Sequence, residues 1–402
     1  MKKILAFILV MCFAIGCFAG CSGSTEAPEE TVAPEATEEV PVETPEAAPA
    51  IEIPEIDLEK LYATHSPDKV VMTVDGVDVT WGEYFYFVYA NVQQMMSYFN
   101  SMASYYGIAL GWGDLMGEGT EESYASYVPK SIENSLISQM AIKGNAKKNN
   151  VELTQENLDA IAAQLESDIV YMCGEGATEE DFNKYLEGMF LPRAVYDDIN
   201  RINYLYQQVF AEKFGLASEL VSDEDAKNYL EENGYMAADH ILLATIDLST
   251  QQPLEESVVN EKKAQAEDIV AQLSEIKDKT ELLKKFKELK DQFTEDSGAA
   301  YYPDGYIFTT GKMVPEFEET AKTLGEYELS GIVETSYGYH IMLGMPLDPD
   351  GVIEVTNQGT EMTGRKMFAN NEYAKELDAY ASNIKVEYVD GFELPALTDY
   401  VK

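Results

Sequence analysis

Ala237-Ala238-Asp239-His240-Ile241-Leu242-Leu243 reads as a short buried strand, an apolar run broken by one acid and one imidazole. Its counterpart, Tyr339-His340-Ile341-Met342-Leu343, is a second strand that again carries a histidine. Between them lie two charged helical stretches, about 256–278 and 280–293, a loop rich in Gly, Tyr and Asp at 294–312, and a short helix at about 314–323. Beyond the second strand come a helix at about 361–382 and a last strand, Ile384-Lys385-Val386-Glu387-Tyr388-Val389. The chain holds three histidines, the third being His65, so two of them inside apolar strands are a conspicuous use of that residue. A pair of hydrogen-bonded core histidines would give the same pattern.

Working outward, the 402 residues with 46% hydrophobic content are enough for two or three domains. Against 28 Lys+Arg stand 72 Asp+Glu, a formal charge of −44. That balance argues against nucleic-acid binding, which needs a basic stripe, and against polybasic docking on anionic lipid. Cys12, Cys17, Cys21 and Cys173 are the only cysteines, and the first three fall within the N-terminal leader. A disulfide framework and a Cys-rich zinc site are thereby excluded, and so few histidines nearly exclude a multi-His centre. The sequence calls for no metal and no cofactor.

Met1-Lys2-Lys3 followed by apolar Ile4 to Phe18 has the build of a secretory signal, residues 1–21. Phe18-Ala19-Gly20-Cys21 resembles a bacterial lipobox, which implies acylation of Cys21; Ala14-Ile15-Gly16-Cys17 is an alternative site, and an ordinary secretory signal is the plainer reading. Residues 22–57 are rich in Glu, Pro, Thr and Ala and cannot bury enough surface to offset their ordering entropy, as expected of a tether.

From 58 to 234 the pattern is mainly helical. A strand, an Asp75-Gly76 turn and a second strand span 70–79, and Thr80 with Glu83 starts a helix. Thr154, Thr178 and Ser222 are further helix starts, and Arg193 to Phe214 reads as one long helix. The segment 88–129 is dense in Met95, Met96, Tyr98, Phe99, Met102, Tyr105, Tyr106, Trp112 and Met116. Such residues build either a helical core or an adaptable surface for unfolded chains.

Residues 235–347 resemble a parvulin-type peptidyl-prolyl isomerase domain. The resemblance rests on four ordered pieces: His240-Ile241-Leu242-Leu243, Met313-Val314-Pro315-Glu316-Phe317, Gly325 to Val333, and Thr335-Ser336-Tyr337-Gly338-Tyr339-His340-Ile341. The chain as a whole is similar to the lipoprotein foldases of Gram-positive bacteria and, less specifically, to periplasmic survival-type chaperones. This implies an α+β fold: a mostly helical chaperone domain built from N- and C-terminal segments (58–234 and 348–402), with the parvulin domain, a small antiparallel sheet surrounded by helices, inserted at 235–347. It also implies isomerisation of X-Pro bonds in unfolded secreted proteins by a chain lipid-anchored on the outer face of the cell membrane. By the resemblance, His240, His340, Asp296 and Thr335 are the catalytic constellation, and Met313, Phe317, Phe308 and Tyr337 line the proline site.

Two departures bear on activity. Where the family carries Gly-Gly-Asp-Leu-Gly, this chain has Tyr302-Pro303-Asp304-Gly305-Tyr306 before Ile307-Phe308. No basic cluster follows His240, so a phosphoserine-proline preference is not expected. The alternative function is a holdase whose parvulin domain binds unfolded segments without catalysis.

Overall fold

The computed structural model describes residues 52–117, 119–356 and 359–402. The signal segment, Cys21, Cys17 and most of the expected tether lie outside the described residues. Contacts divide the chain into two compact units, one of residues up to Val209 with Ala374–Lys402, the other Phe210–Tyr373. The boundaries expected at 234/235 and 347/348 fall within the second unit.

In the first unit, α1 (Leu58–Tyr62) leads into a hairpin of β1 (Val70–Val74) and β2 (Val77–Thr80), and β9 (Val386–Tyr388) adds to β1 in the antiparallel order β2-β1-β9. Thr80 accepts a hydrogen bond from the Glu83 amide at 3.3 Å and starts α2 (Trp81–Tyr106). There follow α3 (Tyr124–Lys148), α4 (Gln155–Cys173), α5 (Glu179–Gly188) and α6 (Arg193–Phe214). Thr154 and Thr178 close reciprocal capping boxes, each satisfying otherwise orphaned amides of the first turn. The core of this unit gathers Trp81, Phe85, Val88, Val92, Met95 and Phe99 of α2 against Val71, Met72, Val128 and Ile132.

That core separates the Met- and aromatic-rich stretch into two faces. Met95, Phe99 and Trp112 are buried, whereas Tyr98, Tyr105, Tyr106 and Ile108 are exposed. The expected tether also ends earlier than 57. Ile56 is buried and bridges Val401, Asp57 N donates to Tyr400 O at 2.7 Å, and Trp112 Nε1 donates to Pro54 O at 2.7 Å. The apolar Ile53 and Ile56 join the core, which the purely compositional reading of 22–57 overlooked.

The second unit carries α7 (Asp223–Glu232), β3 (Met236–Ala244), α8 (Glu256–Ser274), α9 (Lys279–Phe293), β4 (Tyr306–Phe308), α10 (Pro315–Thr323), β5 (Leu329–Glu334) and β6 (Gly338–Gly344). A small hairpin, β7 (Val352–Val355) with β8 (Glu361–Thr363), precedes α11 (Gly364–Ala381). The main sheet is four-stranded and antiparallel in the order β4-β3-β6-β5. Because side chains alternate across a strand, β3 and β6 present two different faces. Ile241, Leu243, Tyr339, Ile341 and Leu343 pack on Ala266, Ile269 and Leu273 of α8 and on Phe286 and Leu289 of α9. Ala238 and Met342 face the other way, onto Phe308 and onto Phe317 and Ala321 of α10. The fold is α+β, with small antiparallel sheets among many helices. Among the described residues no helix is long and apolar enough to cross a membrane.

Candidate active site

The register of β3 on β6 pairs His240 with Met342 and Leu242 with His340. Both histidines therefore lie on the α10 face, one diagonal step apart. Their ring centroids are 5.1 Å apart, and both rings are buried. Phe317 sets its ring edge-on against each, at 5.1 Å from His240 and 5.4 Å from His340. Phe308 lies 5.8 Å from Phe317, and Met313 packs at the edge of the same cluster.

A tight turn places Thr335. Thr335 N donates to Gly338 O at 2.9 Å, and its Oγ1 lies 2.9 Å from His340 Nε2. Gly338 has φ +148°, and a Cβ there would stand 2.2 Å from Leu243 O, so this approach of the turn to β3 requires glycine. Tyr337, at the turn's tip, is 42% exposed and makes no ring contact with the cluster; its amide donates to Thr335 Oγ1 at 3.1 Å. Of the eight residues the resemblance implies within this domain, it alone stands away from the packed group.

Asp296 joins the histidines from the loop after α9. Its Oδ1 accepts from Gly298 N at 2.9 Å, its Oδ2 accepts from Tyr306 Oη at 2.6 Å, and Oδ2 lies 3.6 Å from His240 Nε2. The Tyr306 ring is nearly parallel to His240 at 5.7 Å, and Tyr302 lies 4.8 Å from Tyr306.

The 302–306 loop is held by polar contacts to α9 and by close packing on β3. Lys290 on α9 and Asp239 on β3 form a buried ion pair at 2.6 Å. The same ammonium donates to Pro303 O at 3.1 Å, while Lys287 pairs with Asp304 at 2.5 Å. A Cβ at Gly305 would come 2.9 Å from Ala238 O, so the loop lies directly on β3. Tyr306, Tyr302, Asp239 and Lys290 were not foreseen as site residues. An acid inside the apolar run 237–243 signals a buried partner, but nothing local names a lysine 51 positions away.

Burial sets the charge state. It pushes His240 down to about 3, with His340 adding to the shift and Asp296 opposing it, and pushes His340 down to about 4. Both imidazoles are thus neutral at physiological pH and are weak bases. Burial likewise raises Asp239, although Lys290 pulls the other way, and it raises the Tyr306 hydroxyl with help from Asp296. Among the described residues no group of three or more His, Cys, Asp or Glu is placed to hold a metal ion. The arrangement sets Phe317, Phe308 and Met313 beside two neutral buried imidazoles, with the Thr335 hydroxyl and the Asp296 carboxylate flanking them.

The pH dependence of stability follows. Unfolded imidazoles protonate near 6.5, the folded pair only near 3 and 4, so between these values the unfolded chain holds more protons. Stability is full above about pH 6.5 and falls on acidification by up to ~2.5 kcal/mol per pH unit for the pair. Urea unfolding at pH 6.5 and 5.0 is expected to show this loss, and a His240→Leu/His340→Leu chain to show a correspondingly shallower slope. Equal slopes would contradict neutral burial of the pair.

Among known proteins, residues 240–345 match the rotamase family described as the PPIC-type PPIase domain. The foldase protein PrsA of Caldanaerobacter subterraneus subsp. tengcongensis is 28% identical over 278 residues, 66% of this chain and 75% of that protein. The foldase protein PrsA of Oceanobacillus iheyensis is 29% identical over 194 residues, 48% of this chain and 55% of that protein. A crystal structure of PrsA from Bacillus subtilis covers 79% of this chain and 91% of its own at 18% identity and a TM-score of 0.24, a superposition too loose to carry weight. Residues 240–345 therefore carry a parvulin-type domain of the PPIC class, within a chain that is similar to PrsA foldases.

Proposed function

We propose that this protein is an extracytoplasmic foldase that catalyses cis/trans exchange of X-Pro bonds in unfolded secreted proteins. The observation that carries the reading is the neutral, buried His240–His340 pair walled by Phe317. Exchange about an X-Pro bond faces a barrier of roughly 18–20 kcal/mol set by amide resonance and takes tens of seconds unaided. No covalent step is needed; the enzyme must favour the twisted amide over the planar one. Phe317, Phe308 and Met313 would grip the pyrrolidine ring, with Tyr337 at the rim. A dry surface withholds the water that stabilises the charge-separated planar form. His240, His340 and Thr335 fix the shape and polarity of the floor, and Asp296 presents a carboxylate beside it.

A second activity is favoured by one further observation. Tyr98, Tyr105, Tyr106 and Ile108 are each exposed along and just after the last turns of α2, where they would suit holding unfolded segments. A chain with holdase activity alone would suppress aggregation and leave prolyl exchange untouched.

Acylation at Cys21 would tether the chain to the outer face of the membrane. Cys21→Ser is expected to release it from the membrane fraction into the medium; retention of the variant would refute that anchor. In a protease-coupled assay with a short X-Pro peptide, the chain is expected to accelerate exchange. His240→Ala and His340→Ala should each lower kcat/KM about tenfold or more, a loss of roughly 1.4 kcal/mol of transition-state stabilisation. Exchange at the uncatalysed rate with the intact chain would leave only the holdase reading.

A further inference from the structure

Tyr306 sits in the stretch where this chain departs from the glycine-rich family pattern, and its hydroxyl occupies a built position. A Cβ on Gly298 would lie 2.1 Å from that hydroxyl, so a bare backbone at 298 is what admits it. The hydroxyl donates to Asp296 Oδ2 at 2.6 Å, while His240 Nε2 lies 3.6 Å from the same oxygen, beyond hydrogen-bond length. Asp296 Oδ1 is already held by Gly298 N at 2.9 Å. With the hydroxyl gone, Oδ2 would lose its hydrogen-bond donor, and the imidazole is the polar group beside it. A half-buried carboxylate oxygen without a donor is costly, so it would turn to the ring nitrogen.

We propose that Tyr306 is a positioning residue: its hydroxyl holds the Asp296 carboxylate off His240, which keeps the paired imidazoles in register with each other. Its ring, nearly parallel to His240 at 5.7 Å, fixes that imidazole from the side opposite the sheet partner. The other groups facing His240 do not share this role. His340 approaches from β6 and is itself neutral. Lys290 from α9 is matched by Asp239 on the histidine's own strand, α10 presents the uncharged Phe317, and Tyr302 reaches only the far side of Tyr306. Among the described residues Asp296 is the carboxylate whose charge acts on both imidazoles, and the Tyr306 hydroxyl holds it. The inference depends on the isomerase reading only for its catalytic consequence.

The test uses the full chain carrying isotope-labelled histidine, whose three imidazoles are resolved by NMR, with His65 as the internal reference. In the unaltered chain His240 is expected to stay neutral down to about pH 4. In Tyr306→Phe, which keeps the ring and loses the hydroxyl, the His240 midpoint is expected to rise by about 1–3 units, the shift a close opposite charge produces. Prolyl isomerase activity of that variant should then fall on the acid side of the new midpoint and recover at pH 8. Gly298→Ala, which displaces the hydroxyl without altering it, should move the midpoint in the same direction. A His240 midpoint in Tyr306→Phe equal to that of the unaltered chain would overturn the proposal. The titration is read whether or not the chain isomerises prolyl bonds, so absence of activity would refute the isomerase reading while the role of Tyr306 stands or falls on the midpoint.

Discussion

The antiparallel pairing of β3 with β6 is the constraint on which the second unit depends. It sets His240 against Met342 and Leu242 against His340, and the two-residue period of a strand then sends both imidazoles to one face. The same period sends Ile241, Leu243, Ile341 and Leu343 to the opposite face, where α8 and α9 cover them. A slip of one residue would exchange the two sets, burying imidazoles against Phe286 and turning isoleucines toward Phe317. One register thus specifies the core and the site together.

In a chain with a net charge of −44, burial nevertheless keeps the paired imidazoles of the site neutral. Around the sheet, lysines are consumed internally: Lys290 by Asp239, Lys287 by Asp304, Lys262 by Glu295 and Lys322 by Glu318. The exposed members of this set contribute little to stability. The Asp239–Lys290 pair is different, because both partners are buried and breaking it would strand a charge, at a cost of about 3–5 kcal/mol. It contributes geometry as well, since the same ammonium holds the 302–306 loop beside His240. A buried ion pair and a tyrosine shape this wall.

Much of this was legible in the sequence, and the division follows the range of the interactions. Local signals read well. Thr80, Thr154, Thr178 and Ser222 each cap a helix through a hydrogen bond three residues long, and the strands around His240 and His340 announce themselves by continuous apolar runs. The ordered motif pieces contain Met313, Phe317 and Thr335, and the wider resemblance names Phe308 and Asp296; the fold brings these five around the histidine pair. Short or weakly patterned elements escaped: β7 and β8 pair over only a few residues, and 361–363 read as the start of a helix. Non-local polar contacts escaped too, because the partners Asp239 and Lys290, or Asp296 and Tyr306, are joined only by the fold. Composition misjudged the start of the body, where Ile53 and Ile56 are enough to draw an acidic, proline-rich stretch into the core.

In the proposed reading a proline ring is held against Phe317 above the neutral histidine pair. Intermolecular NOEs between the prolyl ring protons of a short X-Pro peptide and the side chains of Phe317 and Met313, recorded on the full chain, test it most directly. The account predicts contacts to both residues, weakened in His340→Ala. Contacts confined to the exposed tyrosines of α2, with none at Phe317 or Met313, would contradict it.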